Sequence, residues 1–88
     1  MTIQELLSDE SKWTKGTAAR NSSGSPVHPT NKNAVKFCLI GAAVRCGVDK
    51  ELIQPAVKEL GFCRISIFND HPDTTFADIR RVIEEANV

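Results

Sequence analysis

The first readable hydrophobic period lies at the N-terminus, where Ile3, Leu6, Leu7 and Trp13 recur at helical spacing. Thr2 and Glu5 stand three apart at its head, the spacing of a capping box in which hydroxyl and carboxylate each satisfy a free backbone N–H. A first helix over residues 3–12 is predicted. From residue 14 to 31 the period stops and Gly, Ser, Asn, Pro and Thr dominate, with Asn21-Ser22-Ser23-Gly24-Ser25-Pro26 as a turn cluster. This predicts a polar loop or irregular hairpin at 14–31. A connection of that length is uncommon in a small domain, which makes it a candidate binding element.

Residues 34–46 are the most apolar stretch and carry two stripes, Val35, Cys38, Leu39, Ala42 and Cys46 on one side and Phe37, Ile40 and Val44 on the other. A helix apolar on two sides is a buried central helix. Gly41 sits between the stripes, where the missing side chain lets a neighbour approach closely, and Gly47 supplies the helix stop. After Asp49, the positions Leu52, Ile53, Ala56, Val57 and Leu60 form a third helical stripe interrupted by Pro55. An interior proline costs about 3 kcal/mol, so one turn near 50–53 and a helix proper from 54 to 60 are expected. Residues 64–68 are short and β-branched and read as a strand fragment paired with the 13–28 region. Asn69 to Asp73 reads as a turn, and Thr75 to Asp78 opens a last helix with Phe76, Ile79, Val82, Ile83 and Ala86 inward. The sum is a mainly helical α+β domain spanning 1–88: about four helices around a buried central helix at 34–46, with a small hairpin or extended segment.

Composition narrows the functional classes. The 88 residues carry 11 basic and 11 acidic side chains, which counts against general nucleic-acid affinity because phosphate binding needs a basic excess. Neutrality hides a division: residues 69–88 hold two basic and five acidic side chains. No apolar run is long enough to span a bilayer, and the first residues are acidic and polar where a secretory signal is basic and then apolar. Three cysteines without a CxxC pair signal neither a disulfide framework nor a zinc knuckle, and fit a reducing compartment. A cytoplasmic protein without a membrane segment is expected.

Candidate chemistry is sparse. Ala43, Gly47, Val48 and Ile53 satisfy the helix-turn-helix spacing over residues 39–60, yet the would-be recognition helix exposes a mixed set, Lys50, Glu51, Gln54, Lys58 and Glu59. Asn69, Asp70, His71 and Asp73 could ligate a metal or join His28 in acid–base work, but they are also ordinary turn residues before a helix. Cys38 belongs to the apolar helix, where a reactive thiolate is disfavoured, so a metal- or Cys-dependent hydrolase is the third reading. No catalytic residue, cofactor or metal ligand is assigned. Trp13 with Lys15 and Arg20 forms an aromatic and basic group of the kind found at protein interfaces, and it is set against the plainer reading of Trp13 as core.

In order along the chain, Trp13 with Gly16, Gly24, Cys38 with Gly41 and Ala42, Asn69 with Asp70, and Ile79 with Val82 resemble the pattern of an uncharacterised family of small bacterial and phage proteins. Phe68 stands where that pattern has Trp. The resemblance implies no known activity. The leading expectation is a non-enzymatic protein acting through protein–protein contact, such as a phage or mobile-element accessory protein or host-defence inhibitor. Its candidate partner-binding residues are Trp13, Lys15, Arg20, Asn69, Asp70 and His71. The partner is a protein of unknown identity, with a homodimer as one option; the alternative function is a helix-turn-helix DNA-binding regulator.

Overall fold

The computed structural model describes all residues from Met1 to Val88. Helix α1 (Ile3–Leu6) opens with the capping box, Thr2 and Glu5 each accepting the other's backbone N–H. It ends earlier than its apolar spacing predicts. Ser8 and Asp9 favour caps over helix interiors, and Asp9 instead caps a separate 3₁₀ turn, Glu10–Lys12. The end of α1 is held by Arg80, whose guanidinium donates to the carbonyls of Gln4 and Leu7 at 2.8 and 3.2 Å.

Two short strands follow, β1 (Ala19–Arg20) and β2 (Lys36–Phe37), antiparallel with Ala19 opposite Phe37. Beyond β1 the chain folds back as a hairpin, Val27 N–H donating to Ala19 C=O and Asn21 Oδ1 accepting from Ser23 and Ser25. On the other side Trp13 bridges Phe37, with Thr14 N–H donating to Phe37 C=O at 3.1 Å. Two expectations are corrected here. The partner of the 13–28 region is residues 36–37, not 64–68, and the helix predicted over 34–46 begins only at Leu39, as α2 (Leu39–Cys46). Phe37 is buried as a strand residue, and pairing with β1 overrides the helical period that runs through it.

α2 is apolar on one side only: Leu39, Ala42 and Ala43 are buried, whereas Val44 and the preceding Val35 are about half exposed. It stops at Gly47, whose left-handed φ of 66° suits glycine. The proline reading holds, with a 3₁₀ turn at Lys50–Leu52 and α3 (Gln54–Glu59) carrying Pro55 in its first turn, where the missing N–H costs nothing. Ile53, Ala56 and Val57 point inward; Leu52 and Leu60, placed on the same stripe by spacing, are exposed.

Residues 64–68 are not extended. Arg64 is the N-cap of α4 (Ile65–Asp70), because Ile65, Phe68 and Asn69 at helical spacing all find buried positions while Ile67 faces solvent. The last helix, α5 (Phe76–Ala86), starts on the Thr75–Asp78 capping box and buries Ile79, Val82 and Ile83. The helices pack as a closed ring, α1 on α2, α2 on α4, α4 on α3, α3 on α5 and α5 on α1. One core of 17 buried residues fills it, and each fully buried Leu, Ile or Phe contributes about 1.5–3 kcal/mol. No helix is long and apolar enough to cross a membrane.

Gly41 is where α2 meets the strand layer. A Cβ there would lie 1.9 Å from Ala18 O, and that same carbonyl accepts Cys38 N–H at 3.0 Å. The backbone at residue 18 cannot withdraw without breaking that bond. Gly41→Ala is therefore expected to cost about 3 kcal/mol or abolish folding, against about 1 kcal/mol for Gly47→Ala, which meets open space and only left-handed strain. Urea denaturation of both variants measures this, and equal losses would contradict the close-contact account.

Candidate functional site

Asn69 is wholly buried near the end of α4 and uses its amide in four directions. Its Oδ1 accepts from Trp13 Nε1 at 2.8 Å and from Leu39 N at 3.0 Å, while its Nδ2 donates to Thr14 O at 3.1 Å and Asp70 Oδ1 at 2.9 Å. Asp70 Oδ1 also accepts from Gly16 N at 3.0 Å. The segment 13–16 is thus sewn to α4, and the start of α2 is joined to the same knot.

Lys15 strengthens the clamp: its ammonium donates to His71 O at 2.7 Å and Thr74 O at 2.9 Å, and lies 5.3 Å from the Trp13 ring centroid. A cation beside the carbonyls that follow a helix end is favourably placed. Arg20 acts one step away, donating to Thr14 Oγ1, Lys15 O and Gly24 O, so that it ties the 14–15 backbone to the hairpin tip. His71 stacks edge-on against Phe62, centroids 5.3 Å apart, and its Nδ1 accepts from Asp73 N. Trp13 is half-buried against Phe76 at 6.0 Å. The structure therefore brings Trp13, Lys15, Asn69, Asp70 and His71 into one cluster, with Arg20 at its margin. Most of their polar groups bind one another or nearby backbone; Asp70 is the member that stands exposed.

Above this knot lies a cleft of about 240 Å³ lined by Gly16, Thr17, Ala18, Cys38, Ile40, Ser66, Asn69 and Asp70. A second, of about 470 Å³, shares Ile40 and Ser66 with it and is lined besides by Ile65, Gln54, Lys50, Glu51 and Arg64. Ile40, Ser66, Lys50 and Arg64 were not among the residues singled out as a site from sequence. The four come from three elements and carry no local motif; only Gly16, Cys38, Asn69 and Asp70, which belong to the family-like pattern, point there in advance.

A family model matches residues 2–87, almost the whole chain. The chain belongs to DUF6197, a family of unknown function. No curated protein and no solved structure matches it.

Within this DUF6197 fold Cys38 is the group whose chemistry needs weighing. It is the N-cap of α2, its Sγ accepting from Gly41 N at 3.2 Å. Burial pushes its thiol above the ordinary value, outweighing the backbone N–H groups of Gly41 and Ile40 that favour the thiolate. The nearest base it would require is elsewhere: His28 bonds Thr30, and His71 bonds the Asp73 backbone. No three His, Cys, Asp or Glu side chains come together as a metal site.

Two outcomes follow from this DUF6197 geometry. Asn69→Leu leaves Trp13 Nε1–H, Leu39 N–H and Thr14 C=O without partners, at about 1–3 kcal/mol for each group that stays buried. Stability is expected to fall by about 3 kcal/mol or more, with red-shifted Trp13 fluorescence; a small loss with unchanged emission would refute the hub. The second concerns alkali. The unfolded chain gives up the Cys38 proton before the folded chain does, so stability is full below the ordinary thiol range and falls as pH rises from about 8.5. Cys38→Ser keeps an acceptor at the cap without the ionisable thiol, and urea midpoints from pH 7 to 10 should show a flatter alkaline decline, the remainder including Cys46, which burial also raises.

Proposed function

We propose that this chain is a non-enzymatic module acting through protein–protein contact, working in the cytoplasm as a small phage or mobile-element accessory protein that inhibits or adapts a host protein. The observation that carries the reading is the groove formed by the two joined clefts across Ile40 and Ser66. Sites for small molecules enclose most of their ligand, whereas these clefts are partly open to solvent and border the hydrogen-bonded knot at Asn69 and Asp70. Such a surface suits a segment of another protein, a second copy of the chain included.

An enzymatic reading has less support. Cys38 lines the groove beside backbone N–H groups, but burial raises its thiol above the ordinary value and no histidine is bonded to it. Three unpaired cysteines favour a reducing compartment. The helix-turn-helix reading has its turn, since Gly47 links α2 to the next helical segment. Its second helix, however, is six residues long with Pro55 in its first turn and exposes Lys58 beside Glu59, so it offers little to a phosphate backbone.

Ser66 is exposed at the junction of the clefts, so Ser66→Trp fills the groove without entering the core. A partner isolated with the wild-type chain and then purified is expected to bind it saturably, to lose at least tenfold in affinity for Ser66→Trp, and to be unaffected by Ser22→Trp in the exposed turn. A partner indifferent to Ser66→Trp would refute the groove as the contact surface. Salt-dependent binding of duplex DNA by the free chain would favour the regulator instead.

A further inference from the structure

The groove has a polarity that names the chemistry of its occupant. One end is closed by Asp70, whose Oδ1 is engaged by Gly16 N–H and the Asn69 amide while Oδ2 makes no hydrogen bond. The other end carries Lys50 and Arg64 against a single acid, Glu51. None of these four side chains is ion-paired, the two salt bridges of the chain both lying on α5. Between the ends the lining is mixed: the apolar Ile40, Cys38, Ala18 and Ile65, the polar Thr17, Asn69 and Gln54, and Ser66 at the middle.

Resting on the protein-docking reading above, we infer that the groove takes a short extended segment of a partner protein, with a basic residue against Asp70, an acidic residue against Arg64 and Lys50, and an apolar residue between them over Ile40. The length agrees with this. From Arg64 to Asp70 the axis of α4 rises about 9 Å at ~1.5 Å per residue. In an extended chain residues i, i+2 and i+4 share one face over about 13 Å, so charged side chains at i and i+4 overlap the two ends of that line with the apolar residue at i+2 between them. The side chain at i+2 then projects into the cleft lined by Ile40, Cys38 and Asn69, the charged side chains at i and i+4 lie on the same face toward the two ends, and residues i+1 and i+3 face out. Charge at the two ends sets register and direction, and the apolar anchor supplies burial. A helix-in-groove partner fits less well, since the unpaired charges lie at the ends of one short line and not along a stripe.

The test uses the whole chain labelled with ¹⁵N and acetylated, amidated pentapeptides bearing Arg and Glu four positions apart around a central Leu, in both orders, plus a Gln-substituted neutral version. The expected result is saturable shifts of the Ile40, Ser66 and Asp70 amides with one order of charges, and binding about threefold to fivefold weaker for the neutral peptide, the scale of exposed ion pairs. Asp70→Asn keeps the oxygen that Gly16 and Asn69 need while removing the charge, and should weaken the charged peptide part of the way to the level of the neutral one. Arg64→Glu sets the peptide's acid against a like charge and should weaken it further, and should prefer a peptide with Arg at both ends. Neutral and charged peptides binding alike would overturn the polarity and leave the docking surface standing. No shifts with any peptide, while Ser66→Trp still abolishes partner binding, would overturn the extended-segment inference alone; no effect of Ser66→Trp on partner binding would remove both.

Discussion

The fold depends on one buried amide. A side-chain amide with two donor hydrogens and an acceptor oxygen is costly to bury unless every direction is met, and a partly satisfied one is worse than an apolar residue. Asn69 meets them with Trp13, Leu39, Thr14 and Asp70, from segments 56, 30, 55 and 1 residues away in sequence. It also solves a problem of α2. The first N–H groups of a helix have no partner within it, and the start of α2 is buried away from water. Asn69 accepts from Leu39 and the Cys38 thiol accepts from Gly41, so a distant asparagine and a cysteine do the work of a serine or aspartate at the cap.

Gly41 is the complement of that amide. With no Cβ there, Ala18 approaches α2 closely enough for its carbonyl to take Cys38 N–H, which places residues 16–18 as one wall of the first cleft while Ser66, Asn69 and Asp70 of α4 form the other. A hydrogen bond joins the wall to α4 at Gly16–Asp70, and the glycine contact joins it to α2. Groove geometry and fold stability therefore share the same few residues, so substitutions meant to probe binding have to spare Asn69 and Gly41 and act at Ser66, Arg64 or Asp70.

What the sequence disclosed follows the range of the forces involved. Caps at Thr2 and Thr75, the break at Pro55 and the stop at Gly47 are local backbone chemistry and were legible. So was the close approach at Gly41, though not the carbonyl that makes it. Residues 64–68 were misread because Ile65 and Ile67 are β-branched, while the residue that decides the matter, Asn69, gains its partners only from distant segments. β2 was missed for the same reason: its two residues owe their conformation to Ala19, Arg20 and Trp13. Periodicity also assigned Val35, Val44, Leu52 and Leu60 to apolar stripes without saying whether anything would cover them, and nothing in the chain does. At the site, the residues with unusual identity or chemistry, Trp13, Asn69 and Asp70, could be found from sequence. Ile40, Ser66 and Arg64 became a groove only through tertiary placement.

The division of charge along the sequence ends up meaning something different in three dimensions. Most of the acidity after residue 69 is consumed internally: Glu84 and Glu85 pair with Arg80 and Arg81 along α5, and Asp78 accepts from the Thr75 backbone in the cap. Such exposed i, i+4 pairs contribute only about 0.3–0.5 kcal/mol each, but they remove those charges from the outward field. Lys15, Arg20 and Arg45 are likewise turned inward onto backbone carbonyls. A basic front and an acidic tail therefore do not become two opposed faces. Asp70 keeps one carboxylate oxygen free of hydrogen bonds at one end of the groove, and Lys50 and Arg64 at the other make no ion pair, so it is this short dipole, not the balance of the whole chain, that a binding partner would meet.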